Sequence, residues 1–138
     1  MVSHPNIDLV HRFFQAYATN DFWVIEKILS PTIQWHIPGN HPLNGIKSGV
    51  DEVLNYFKQL GKANFQASPI VIGANEEYVI DCHQNWSSVE GTENLNSMSC
   101  LLWKIKNEQI IEVHNFPENQ HQVDSFFQVV YDQTSWQP

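Results

Sequence analysis

The sequence predicts an α+β fold: a curved, mostly antiparallel sheet forming a cone-shaped barrel wrapped around three N-terminal helices. Two observations carry this. Apolar residues first recur at three- and four-residue steps, then give way to runs rich in β-branched and aromatic residues separated by short turns. A third observation is local. The apolar strand Trp35-His36-Ile37 meets a Pro38-Gly39 turn and then a helix opening at Gly49-Val50-Asp51-Glu52-Val53. That order suggests a cone with a pocket at its wide end.

The first helix is read from Ile7, Val10, Phe13, Phe14 and Tyr17, which fall on one stripe, with Ser3 as its cap and Pro5 in its first turn. Asn20-Asp21 caps a second, shorter helix carrying Phe22, Trp23, Ile25, Ile28 and Leu29. Ser30-Pro31 ends it, because a residue before proline avoids the α region. Thr32 to Ile37 is strand-like. Ser48 with Asp51 resembles a capping box for a third helix, whose stripe is Val50, Val53, Leu54, Phe57 and Leu60 and whose stop is Gly61.

The period then changes. Phe65 to Ala74, Tyr78 to Val89, Leu95 to Lys106 and Gln109 to Phe116 read as strands, with turns at Gly73-Ala74-Asn75, Gly91-Thr92 and Lys106-Asn107-Glu108. Links this short favour an antiparallel meander, and strands of about ten residues must twist to wrap helices. Pro117 ends the last strand, and Glu118 to Val130 reads as a closing helix. The expected organisation is one domain over residues 1–138.

Composition bounds function. The chain carries 15 Asp plus Glu against 7 Lys plus Arg, a formal charge of −8. Without clustered cations, nucleic acid and anionic membrane surfaces are not expected partners. No apolar run reaches the roughly 18 residues of a membrane span, and Met1 to Asn20 lacks a signal-peptide layout, so a cytoplasmic protein is expected. Cys82 and Cys100 have no CxxC spacing and read as small reduced core residues. The 7 histidines show neither HxxxH nor HxH spacing, so scattered imidazoles rather than a metal site are expected, and no cofactor. Phe13, Tyr17, Trp23, Phe57, Trp86 and Trp103 read as core. No GxSxG or phosphate loop occurs.

Taken in order, several motifs resemble the nuclear transport factor 2-like superfamily. They are Phe14-Gln15-Ala16-Tyr17 before Asn20-Asp21, Trp35 to Gly39, Pro42-Leu43-Asn44-Gly45 leading to Gly49 to Val53, and Ile110 to Val113 leading to Phe116-Pro117-Glu118-Asn119-Gln120. Within it the details are similar to SnoaL-like polyketide cyclases and steroid isomerases, over about residues 6–128. The resemblance implies a cystatin-like cone whose pocket is lined by Tyr17, Trp35, His36, Phe57, His83, His114, Phe116, Asn119 and Gln120. It also implies a homodimer and a small, apolar, oxygenated ligand.

By the same resemblance, His36 falls where steroid-isomerase-like members carry a general-base carboxylate. Asn119 stands where many SnoaL-like members have an acid, and Phe13 where isomerases have an oxyanion tyrosine. Imidazole can serve as a base near neutral pH, whereas an amide cannot exchange a proton there. His36 and His114 are therefore the expected catalytic pair, with His114 donating to a developing oxyanion. The expected chemistry is proton abstraction beside a carbonyl: an isomerisation, cyclisation or dehydration. A carrier without turnover and a protein-interaction module are the alternatives. Strand parity leaves His36 open between the pocket and solvent, because it shares a face with Gln34. Glu112, His114 and Phe116 share a face of their own.

Overall fold

The computed structural model describes residues 4–131. The elements run α1 (Pro5–Ala18), α2 (Phe22–Ile28), β1 (Leu29–Ile37), β2 (Gly45–Ser48), α3 (Val50–Lys62), β3 (Gln66–Ala74), β4 (Tyr78–Trp86), β5 (Asn96–Lys106), β6 (Gln109–Pro117) and α4 (Gln120–Val130). The strands form one curved six-stranded sheet, ordered β2-β1-β6-β5-β4-β3, which stays open between its β2 and β3 edges. The α+β cone is therefore present, as an open sheet rather than a closed barrel.

Two features were not legible in the residue pattern. One is β2, a four-residue edge strand with a single large apolar residue, Ile46, too short to carry a period. The other is that β1 pairs with β6 in parallel, while β3 to β6 form the antiparallel meander. The long connection from β1 through α3 and four strands permits the parallel pairing.

Local chemistry sets the helix starts. His4 caps α1, its Nδ1 accepting from the Asn6 N–H at 3.1 Å with Pro5 in the first turn; Ser3 lies outside the described residues. Asp21 caps α2 by accepting from the Val24 N–H at 3.2 Å. For α3 the cap is Gly49, at φ +87°, and not Ser48. Ser48 instead gives its backbone N–H to Glu52 at 3.0 Å, so the side chain reaching back is one residue beyond the expected Asp51.

The helices bury their stripes against the inner sheet face. Trp103 of β5 is fully buried, with ring centroids 5.0 Å from Phe13, 5.9 Å from Phe14 and 5.5 Å from Trp35. Phe57 of α3 closes the same group at 5.5 Å from Phe13 and 5.1 Å from Trp35. Edge-to-face contacts of this kind add to area burial. Two expected core aromatics lie outside. Trp23 is 65% exposed, beneath the Lys27 ammonium at 3.3 Å, and Trp86 is 39% exposed at the end of β4. In both, the apolar residue falls off the inward stripe of its element. Cys82 and Cys100 are likewise not core; they are half-buried free thiols directly opposite one another on the outer face.

The turn after β1 is tied to α4. Gly39 sits at φ +106°, a left-handed conformation that favours glycine, and a Cβ there would push aside the Gln120 and Asp124 side chains that lie against it. Asp124 accepts from the Asn40 N–H at 3.0 Å, and Asn44 donates to the Gly39 carbonyl at 2.7 Å. In the same turn, buried His41 accepts the Leu43 N–H at Nδ1, 3.1 Å away, and packs on Phe127. Burial holds the His41 imidazole below its ordinary pKa, with Asp124 pulling the other way.

Two stability predictions follow from these contacts. Trp103→Phe removes a buried indole that also donates to Asp81, and it should cost about 2–4 kcal/mol, read as a lower urea midpoint at unchanged m-value. For His41 the unfolded chain takes up a proton near pH 6.5 that the folded chain refuses, so stability should fall as pH drops below about 6.5. His41→Asn keeps an acceptor for the Leu43 N–H without a titrating ring. Urea midpoints at pH 7.5 and 5.5 should therefore lie closer together in that variant than in the parent.

Candidate functional site

Between the inner sheet face and α1, α3 and α4 lies a mostly apolar hollow of about 70 Å³ that opens to solvent. Its apolar wall includes Phe13, Phe14, Tyr17, Trp35, Tyr56, Phe57 and Phe127. Four polar residues interrupt it: His83 and Asn85 of β4, Ser99 of β5 and Asn115 of β6. Strand alternation and register bring these together, since His83 is opposite Ser99 and Asn115 opposite Leu101, which in turn faces Asp81.

His83 is the chemically distinctive lining residue. Its Nδ1 lies 2.7 Å from Asp81 Oδ2, and both side chains are buried. The other carboxylate oxygen, Asp81 Oδ1, accepts from Trp103 Nε1 at 2.6 Å. An ionised carboxylate can only accept, so Nδ1–H donates to it and fixes the ring orientation, while Nε2 has no hydrogen-bond partner among the described residues. The ring packs on Phe14 at 5.6 Å. Around it, Asn85 donates to Ser99 Oγ at 2.9 Å, while Asn115 Oδ1 is sealed from water with no partner among the described residues. Tyr17 donates to the Phe65 carbonyl at 2.8 Å, and burial raises its phenol pKa, so it serves as wall rather than acid.

Of the residues expected at a pocket, Tyr17, Trp35, Phe57 and His83 line the hollow. The others do not. His36 and His114 do approach each other, stacked with centroids 4.0 Å apart and planes at 16°, but on the outer face of the sheet. Register explains this: Trp35 pairs with Val113 and both are buried inward, so their neighbours His36 and His114 point the opposite way. Phe116 shares that outer face and is 55% exposed. Asn119 is spent as the α4 cap, accepting from the Gln122 N–H at 3.0 Å. Gln120 donates to Asp124 at 2.9 Å beside the Gly39 turn.

Asp81 was missed as a site residue. Its signal was an acid directly after the apolar run Tyr78-Val79-Ile80 and two positions before His83, the spacing that puts both on one face. Asn85, Ser99 and Asn115 carried no distinguishing local pattern.

On the outer face, His114 Nε2 lies 2.5 Å from Glu112 Oε1. That hydrogen bond holds the Glu112 carboxyl below the usual range. Burial and then His114 hold His36 below the ordinary imidazole value, against a smaller pull from Glu112, so His36 titrates in the same sense as His41. Three possible metal-ligating atoms, one each from His36, Glu112 and His114, all lie within 4.8 Å of one another.

No protein-family model matches the sequence. An uncharacterised protein of Mycobacterium tuberculosis is 35% identical over 54 residues, a stretch spanning 39% of this chain and 41% of that protein. Solved structures match over much more. Bal32a, from a soil-derived mobile gene cassette, superposes with a TM-score of 0.84 at 21% identity, covering 89% of this chain and 96% of that one. A Xanthomonas campestris protein of unknown function with a cystatin-like fold gives 0.80 at 28% identity, covering 88% and 96%. A putative SnoaL-like polyketide cyclase from Jannaschia gives 0.74 at 12% identity, covering 91% of each chain. Among the described residues, no helix is long and apolar enough to cross a membrane. With an open curved sheet folded over helices and neighbours of this kind, the chain has the cystatin-like fold seen in nuclear transport factor 2-like proteins.

Proposed function

We propose that the chain is a cofactor-independent enzyme of the SnoaL-like, steroid-isomerase-related kind, acting on the carbon beside a carbonyl of a small apolar molecule. The observation that carries this reading is the buried Asp81–His83 pair at the wall of an apolar hollow. A base with a fixed tautomer and a lone pair free of intramolecular partners is what proton abstraction requires. His83 Nε2 takes the α-proton, and Asp81 stabilises the imidazolium that results, as a carboxylate does for histidine in hydrolytic triads. The electron pair left behind moves onto the carbonyl oxygen. The Asn115 amide and the Ser99 hydroxyl, two of the few polar groups in the wall, stand as its hydrogen-bonding partners. The proton then returns to a different atom of the substrate (isomerisation), or a leaving hydroxyl takes it (dehydration).

The size of the hollow narrows the substrate. About 70 Å³ accommodates the reacting head of a molecule, with the remainder in the opening. A panel of β-keto and enone compounds is the direct test. His83→Ala should lower turnover at least about 100-fold, and Asp81→Asn, which no longer fixes the tautomer, should lower kcat with little change in KM. Full turnover in His83→Ala would remove the proposed base.

A second reading has its own support: both Asp81 oxygens are already engaged, so the network is also a complete structural unit that needs no reaction to account for it. On that reading the chain is a carrier. Ligand quenching of Trp35 fluorescence with the compound recovered unchanged would favour it. We also infer that the apolar outer face, with Ile46, Ile80, Met98 and Phe116 exposed, pairs with a second copy of the chain. Sedimentation should then give a dimer that Phe116→Asp weakens.

A further inference from the structure

We propose that His36, Glu112 and His114 bind one divalent first-row transition cation, with zinc as the representative ion, on the outer face of the sheet. The site is separate from the hollow and independent of the reaction proposed there, because strand parity puts the two on opposite sides of the same backbone.

Three observations converge. The candidate ligand atoms come from two adjacent strands, which hold them within 4.8 Å of one another without help from a loop. The donor set, two imidazoles and one carboxylate, suits zinc and its neighbours and leaves further coordination positions for water. The third observation is an unmet need. His36 Nε2 is sealed from water with no hydrogen-bond partner among the described residues, a costly arrangement that a cation would relieve. The inner Asp81–His83 pair makes the contrast clear: it has the same two-residue spacing, but its partner is an indole donor rather than a second imidazole.

Binding requires little rearrangement. The cation takes the place of the proton between His114 Nε2 and Glu112 Oε1, now 2.5 Å apart, so the two side chains open slightly and one proton is released. His36 turns about its soft terminal torsion, from the stacked position at 16°, to present its nitrogen. The groups paired with the two imidazoles do not oppose this. His36 is opposite Ile46 and His114 opposite Leu102, both apolar. Lys104 is opposite Glu112 and its charge reaches that carboxylate, while its ammonium also lies over the Tyr78 ring, 5.8 Å from the centroid, on the side of β6 away from His36.

The test is calorimetric titration of chelator-treated full-length protein with zinc chloride, alongside cobalt(II) absorption to read coordination directly. The expected result is one saturable site per chain, weakened about ten-fold or more by His36→Ala and by Glu112→Gln, and untouched by His83→Ala. In the single chain these side chains are partly exposed, on the face that the dimer inferred above would cover, so far-UV circular dichroism and sedimentation check that each variant remains folded and paired. Saturable binding that survives His36→Ala, binding lost in His83→Ala, or no saturable binding at all would each overturn the proposal.

Discussion

Two-residue alternation in the sheet is the constraint on which the rest of this molecule depends. Along β4, β5 and β6 it sends Asp81, His83, Ser99, Trp103 and Asn115 inward, and Cys82, Cys100, Glu112, His114 and Phe116 outward. A slip of one residue between β4 and its neighbours would exchange an imidazole for a thiol at the hollow. The register is held by the fully buried Val79, Trp103 and Val113 on the inner face, and by the short turns that join β3 to β4 and β5 to β6. Where alternation breaks, it does so at shifts in register, between Leu29 and Gln34 in β1, between Pro69 and Val71 in β3, and between Lys104 and Ile105 where β5 meets β6. Each shift lets a strand bend with the cone.

The buried Asp81 shows how this sheet tolerates a charge in its interior. A carboxylate removed from water is costly unless its oxygens are bonded, and here an indole and an imidazole serve one oxygen each. The same bonds tie β4 to β5 and orient the His83 ring. Structural and chemical roles are thus carried by one set of contacts. The outer Glu112–His114 pair repeats the spacing under different solvation, with both side chains more than a third exposed. Water can share the work there, and a second imidazole rather than an indole stands beside it.

The helices and the meander were legible in the chain because their signals are local. The stripe of Val10, Phe13 and Phe14, the Asp21 cap and the turn at Lys106 to Glu108 each depend on residues a few positions apart. The resemblance to the superfamily also placed Tyr17, Trp35, Phe57 and His83 beside the hollow. It placed His36, His114, Phe116, Asn119 and Gln120 there too, and the strand registers and the α4 cap put those elsewhere. Asp81 was readable as an oddity, an acid directly after an apolar run, but its indole partner is 22 positions away.

By itself, then, the amino-acid sequence determined the element types, their order and the acidic, aromatic-rich character of the chain, since periodicity, caps and turn residues act over a few bonds. Only the tertiary structure decided which imidazole faces the hollow and that His36 and His114 meet. Those outcomes rest on the parallel pairing of β1 with β6, a contact between segments some 80 residues apart in the chain, and no short stretch of sequence encodes which face of a strand such a pairing turns inward.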